Sequence, residues 1–172
     1  AVRKELRQIA SDTWDSFVAM TYPNGLPADN LSATGVRAGY SSPTNIASYI
    51  WSTLVARDLG IISQREARQR IGQTLTTLAT MERHADSGMF YNWYDPATGA
   101  KLTVWPPSGD PVYPFLSTVD NGWLAAALIM VTNAIPPLRD EAQAILDDMN
   151  FGFYYDPGAG LLRGGFWDAL PP

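Results

Sequence analysis

The side chains available for chemistry in this sequence are carboxylates, hydroxyls, amides and aromatic rings. There is no Cys and a single His, His84. A thiolate metal site, a Cys nucleophile, a His-rich metal site and a two-imidazole relay are therefore excluded. Seventeen acidic residues are present, and chemistry at a glycosidic bond takes two carboxyl groups, one that donates a proton and one that stays ionised. Position has to choose among them. Asp120 stands apart because it follows a long irregular segment and opens the most apolar helical pattern, which would bring its side chain near a bundle axis at the loop end. Asp is also a favoured N-cap, so capping is the alternative reading of the same position.

Seven of the aromatic residues lie between Met89 and Phe115, namely Phe90, Tyr91, Trp93, Tyr94, Trp105, Tyr113 and Phe115. They occupy a Pro- and Gly-rich stretch, interleaved with Asn92, Asp95, Thr103 and Asp110, and not a helical stripe. Such rings suit the C–H faces of pyranose sugars, whose hydroxyls take amides and carboxylates. A long loop pinned down by its own aromatics is the other reading. Glu82, His84, Asp86 and Asp95 form a second polar cluster, in which a lone His at a helix end commonly satisfies the last carbonyls. Asp140, Glu141, Asp147 and Asp148, and separately Arg65, Arg68 and Arg70 with Glu66, read as solvated helix faces.

Several helices must position these groups. Leu6, Ile9, Trp14, Phe17 and Val18 recur at helical spacing up to a turn at Tyr22-Pro23-Asn24-Gly25. Residues 26–41 read as loop. Ser42-Pro43 supplies a cap and a first-position Pro for a second helix, which runs to about Leu59 before Gly60. Ser63 to Glu66 has capping-box spacing and leads a third helix with Ile71, Leu75, Leu78 and Met81 as its stripe. Asp120 to Asn133 reads as a fourth helix, apolar nearly all round and so buried on more than one side. Pro136-Pro137 ends it and starts a fifth, from Leu138 to about Met149.

Two segments echo each other: Tyr94-Asp95-Pro96-Ala97-Thr98-Gly99 and, 61 positions on, Tyr155-Asp156-Pro157-Gly158-Ala159-Gly160. Each follows a helix pair, a periodicity that suggests stacked helical hairpins; two ordinary Asp-Pro turns would give the same strings. Hairpins of this size close into a ring when enough are set side by side. This chain holds fewer than three, so an exposed apolar flank is expected at the open edge.

The length of 172 residues and a composition 46% hydrophobic and 17% charged describe a globular chain with one core. The net charge of −5 and the absence of a basic run argue against a nucleic-acid partner. The longest apolar stretch, Trp123 to Val131, falls far short of the ~20 residues that a membrane span needs. The N-terminus enters an amphipathic pattern at once, which leaves an extracellular or periplasmic location after removal of a targeting segment, or a cytoplasmic one.

Three strings then stand in order and register: Ser42-Pro43-Thr44-Asn45-Ile46, Phe90-Tyr91-Asn92-Trp93-Tyr94-Asp95, and Ser117-Thr118-Val119-Asp120-Asn121-Gly122-Trp123-Leu124-Ala125-Ala126. Together they resemble the N-terminal half of the bacterial glucoamylase-like domain family, which is similar to β-1,2-glucanases and to the C-terminal part of cyclic β-1,2-glucan synthases. The resemblance covers about Leu6 to the end of the chain. It implies an all-α fold of helical hairpins from an (α/α)6 toroid, about half of the ring, with short aromatic β-like turns. Residues 1–172 then form a single partial domain. It further implies a glycoside hydrolase or transglycosidase acting on a glucan with paired carboxylates and no cofactor or metal. Asp120 would be catalytic, and Tyr91, Asn92, Trp93, Asp95, Thr44, Asn45, Asn121 and Trp105 would bind substrate. Because the family's other carboxylates lie in the second half of the toroid, that half is expected as a partner, in cis or as a second chain, and the reading is of an incomplete or split enzyme. A non-catalytic carbohydrate-binding or scaffolding module is the alternative.

Overall fold

The computed structural model describes residues 2–171. Among these residues five α-helices follow one another: α1 (Val2–Met20), α2 (Pro43–Asp58), α3 (Gln64–Leu78), α4 (Thr118–Ala134) and α5 (Arg139–Asp147). Short 3-10 turns cover Pro136–Leu138, just ahead of α5, and Phe151–Tyr154. Four short strands also lie among the described residues: β1 (Phe115–Ser117), β2 (Tyr155–Asp156), β3 (Leu161–Leu162) and β4 (Gly165–Trp167). β2 and β3 form a hairpin, and β4 returns antiparallel to β1 with Leu116 opposite Phe166.

Local chemistry sets the helix starts. Ser42 accepts from the Asn45 amide at 3.2 Å while Asn45 Oδ1 accepts from the Ser42 amide at 2.8 Å, a full capping box with Pro43 in first position. Ser63 accepts from the Glu66 amide at 3.1 Å, but the Glu66 carboxylate turns to Arg70, 2.8 Å away, instead of back to the cap. α4 starts at Thr118, and Ser117 Oγ is its cap, accepting from the Asp120 amide at 3.1 Å. The capping reading of Asp120 is thereby corrected. Asp120 sits at the third helical position with its carboxylate free to look elsewhere.

α2 and α4 lie side by side and run the same way. Thr44 bonds Asp120 at their N-terminal ends, and Arg57 Nη1 donates to Ala134 O, 3.1 Å away, at their C-terminal ends. α1 returns against α2, with Trp14 stacked on Tyr49 at 6.2 Å and ring planes 9° apart. Arg70 lies over the Trp14 ring at 5.3 Å, so it is not the solvated residue its helical spacing suggested; Arg65 and Arg68 are exposed. Asp140, Glu141, Asp147 and Asp148 are exposed as their spacing suggested, and Asp148 also pairs with Arg83 at 3.0 Å. One core joins Ile46 and Ile50 of α2, Ile71 and Leu75 of α3, Leu124 and Leu128 of α4 and Ile145 of α5 to Phe90, Tyr94 and Tyr154 from the loops. Each large aliphatic side chain buried this way stabilises by roughly 1.5–3 kcal/mol.

The far side of α4 is uncovered. Val119, Trp123, Ile129 and Met130 stay exposed on an otherwise core-forming helix, the apolar flank that the hairpin pattern anticipates.

The two echoing strings do make the same turn. Gly99 N donates to Asp95 O and Gly160 N to Asp156 O, each at 2.8 Å, with both glycines at positive φ. In each turn the Asp carboxylate also accepts from the amides two and three residues ahead. Those amides, that of Ala159 first, together with Arg163, hold the Asp156 carboxyl below its ordinary range. His84–Gly88 and Trp105–Gly109 close by the same 2.8 Å bond without an Asp-Pro pair. The turn therefore belongs to many loops of this molecule and does not by itself mark a repeat boundary.

Candidate functional site

The segment from Phe90 to Tyr94 is fixed almost atom by atom. Asn121, fully buried on α4, accepts from Phe90 N at 2.9 Å and donates to Phe90 O and Ser117 O, both at 2.9 Å, and to Tyr154 Oη at 3.2 Å. Tyr94 Oη accepts from Tyr91 N at 2.8 Å and donates to Glu82 O at 2.6 Å. Asn92 N donates to Phe115 O, and the backbone of Tyr94 exchanges two bonds with Ser41. Burial pushes the Tyr94 and Tyr154 phenols well above their usual range, so both remain neutral donors.

That rigid segment aims Asn92 at Asp120. Thr44 Oγ1 donates to Asp120 Oδ1 at 2.8 Å. Asn92 Nδ2 donates to Asp120 Oδ2 at 3.2 Å, and its Oδ1 accepts from Trp93 Nε1 at 3.1 Å, the amide orientation in which both ends are satisfied. Thr44, the Asn92-Trp93 pair and Asp120, from three separate segments, thus form one hydrogen-bonded group at the N-terminal ends of α2 and α4. Trp105 joins it through rings: it lies 5.2 Å from Trp93 and 4.4 Å from Tyr40, and Tyr40 is 5.5 Å from Trp93. Tyr40 gave no signal in the sequence, being a lone Tyr in a stretch read as loop.

Other expected site residues do different work. Asn121 lies inside the protein with both amide atoms engaged, so it clamps the site segment instead of meeting a substrate. Asn45 is committed through its oxygen to the α2 cap, where it also accepts from Ser42 Oγ at 2.8 Å. Asp95 holds its own turn. Tyr91 is buried, donating to Asp168 Oδ2 at 2.8 Å, with Lys101 Nζ 4.2 Å above its ring. Burial and that Asp168 contact push its phenol well above the usual range. His84 faces the same carboxylate at 3.7 Å and Ser87 Oγ at 2.8 Å, and its ring packs edge-on against Phe153 and Phe166. Lys101 pairs with Glu82. Asp168 also escaped the sequence reading; only the return of β4 alongside β1 brings it to Tyr91.

A cleft of about 510 Å³ between α3 and α5, lined by Leu75, Ala79, Arg83, Glu141 and Ile145 among others, shares no residue with the Asp120 group. Among the described residues no cluster of three or more His, Asp or Glu could hold a metal ion, and no helix is long and apolar enough to cross a membrane.

The family model described as "Protein of unknown function (DUF3131)" matches residues 8–155. The chain belongs to the DUF3131 family. This DUF3131 chain is 36% identical over 135 residues to the cyclic β-(1,2)-glucan synthase NdvB of Rhizobium meliloti, a match that covers 76% of the chain and 4% of the synthase. Its fold is that of an endo-β-1,2-glucanase from Chitinophaga pinensis solved with sophorotriose and glucose, at TM-score 0.73 and 14% identity, over 91% of the chain and 41% of the glucanase. It also superimposes on a glucoamylase-like protein from Bacteroides uniformis at TM-score 0.68 and 14% identity, over 91% of the chain and 41% of that protein. A β-1,2-glucanase from Parabacteroides distasonis matches at TM-score 0.69 and 14% identity, over 87% of the chain and 21% of the enzyme. The DUF3131 chain thus spans less than half the length of each of these relatives, and the resemblance seen in its three strings agrees with all of them.

In the DUF3131 chain the Asp120 carboxylate takes one hydroxyl and one amide donor, and its remaining lone pairs can accept more. Among the described residues no second carboxylate bonds to Thr44 or Asn92.

Proposed function

We propose that this chain forms one wall of a site that cleaves or transfers glycosidic bonds in a glucan, with Asp120 as one of two working carboxyl groups. The observation that carries the reading is the convergence of Thr44 and Asn92 on Asp120 at adjacent helix N-termini. Two donors fix both carboxylate oxygens, so the group is held in one orientation toward whatever lies above the helix ends. The relatives' names point to β-1,2-linked glucan as the substrate class. In this reading the second carboxyl group and the opposite wall come from polypeptide outside these residues. The helical hairpins then make up about half of an α/α toroid, and the uncovered face of α4 receives the neighbouring hairpin. The relatives' greater length and the exposed Trp123, Ile129 and Met130 support that arrangement.

The test is turnover of β-1,2-glucan by the intact protein, read as new reducing ends or altered chain length. Asp120→Asn is expected to lower the rate at least about 10²-fold with helicity unchanged. Full activity in that variant removes Asp120 from the mechanism. A second reading, a wall that binds glucan without cleaving it, is favoured by an Asp120 group that among the described residues holds one carboxylate. It predicts saturable binding by the intact protein with no reducing ends released.

A further inference from the structure

Three aromatic rings beside Asp120 are explained by neither hydrophobic core. Tyr40, Trp93 and Trp105 belong neither to the main core nor to the smaller buried cluster of Trp14, Tyr49 and Ala56, and all three are half-buried. They come from three loops. Tyr40 closes the 28–41 loop, with its carbonyl accepting from Asp29 N at 2.9 Å and its hydroxyl from Asn30 Nδ2 at 3.3 Å. Trp105 opens the turn that ends at Gly109, and its amide donates to Asp110 O at 2.7 Å. The two loops touch where Gly39 meets Pro106; a Cβ on Gly39 would stand 3.1 Å from Pro106 Cβ. The rings pack on one another at centroid distances of 4.4, 5.2 and 5.5 Å and meet at 34°, 68° and 87°.

We infer that Tyr40, Trp93 and Trp105 form a stacking subsite for one pyranose ring of the glucan, next to the sugar held at Asp120. This rests on the reading of that surface as a glucan wall. The link is covalent on one side and hydrogen-bonded on the other: Trp93 Nε1 donates to the same Asn92 amide that donates to Asp120. Two hydrogen bonds and the width of one amide keep the indole nitrogen within roughly 9 Å of the carboxylate. A sugar chain lying across Asp120 therefore reaches the rings with an adjoining residue. A pyranose with equatorial hydroxyls has flat C–H faces that pack on aromatic faces, and its rim meets the Asn30 and Asn92 amides. Because the backbone bonds already hold Tyr40 and Trp105, little ordering is left to oppose binding.

The experiment is titration of the intact protein with β-1,2-linked gluco-oligosaccharides, followed by calorimetry and by tryptophan emission. Tyr40→Leu and Trp105→Leu are each expected to weaken affinity about ten-fold, while Tyr40→Phe binds like the wild type. Asp120→Asn is expected to lose turnover and retain the emission change. Oxidation of Trp93 and Trp105 by N-bromosuccinimide, slowed by saturating oligosaccharide in the wild type, gives a readout that does not depend on any variant folding. Unchanged affinity in both Leu variants, or oxidation that the sugar does not slow, overturns the subsite. If those results accompany lost binding in Asn92→Ala, the wall stands without the subsite; a wild-type protein that binds no glucan overturns the wall as well.

Discussion

Replacing Asn121 by Ala separates its two possible roles. As a substrate contact it would be dispensable for folding; as the clamp seen here it is not. The side chain is fully buried and meets Phe90 N, Phe90 O, Ser117 O and Tyr154 Oη. Ser117 O also accepts from Tyr154 Oη, so the lasting damage is at Phe90. Truncation leaves one buried N–H and one buried C=O without partners there, each costing about 1–3 kcal/mol. A total of about 3 kcal/mol lowers the melting temperature of a chain of this size by about 6–12 °C. Thermal unfolding followed by far-ultraviolet circular dichroism measures it. Asn121→Leu is expected to be as damaging, since volume without polar atoms restores nothing. Native-state hydrogen exchange should show the Phe90 amide losing protection before the core of α3. A melting temperature within about 2 °C of wild type in Asn121→Ala would refute the clamp and with it the claim that the Asn92 segment is held rigid.

Other expectations follow the same logic. Gly88→Ala should destabilise strongly, because φ is +66° and a Cβ would stand 1.9 Å from Asp148 O; chemical denaturation checks it, and a wild-type midpoint would contradict the tight approach. Gly165→Ala would place a Cβ 2.5 Å from Leu116 O and should loosen β4 from β1, read as faster exchange at Phe166 with the helices unaffected. The Tyr94 and Tyr154 phenols are raised in the folded state, whereas unfolded phenols ionise near pH 10. Their stabilisation is complete below about pH 10 and falls above it by about 1.4 kcal/mol per pH unit for each group. Denaturation midpoints should drop through the alkaline range while phenolate absorbance from these two residues appears only on unfolding. Thr44→Val should keep the fold and weaken turnover or glucan binding by about ten-fold or more by freeing one Asp120 oxygen, a hydroxyl bond to a carboxylate being worth about 1.5–3 kcal/mol; an unchanged rate and affinity would mean Thr44 does not orient the carboxylate.

The helices were legible because their cues are local. Ser42-Pro43, Ser63 and the α3 stripe act within four residues, and the structure keeps them with small shifts of boundary. The start of α4 was misplaced by two residues because Ser117 and Asp120 are both good caps, and only the bond from the Asp120 amide to Ser117 Oγ distinguishes them. The Asp120 group was legible as candidates, through the family strings, but not as a geometry: Thr44 and Asp120 are 76 positions apart, and no local pattern reports such a bond. Tyr40 and Asp168 were invisible for the same reason. Each is an unremarkable residue in an irregular segment until a bridge delivers it, Ser41 to Tyr94 bringing Tyr40 beside the Asp120 group and β4 to β1 bringing Asp168 to Tyr91.

The 2.8 Å bond between Thr44 and Asp120 joins two parallel helices whose only other hydrogen-bonded tie among the described residues is Arg57 to Ala134 at the opposite ends. One residue of axial slip between helices is about 1.5 Å, enough to break such a bond. The carboxylate is therefore a vernier on the seating of α2 against α4. Substitutions at Ile50 or Leu128, deep in the shared core and remote from any sugar, should register first as a change in how Asp120 is held, and anything that presses on the uncovered side of α4 has the same mechanical route to the site.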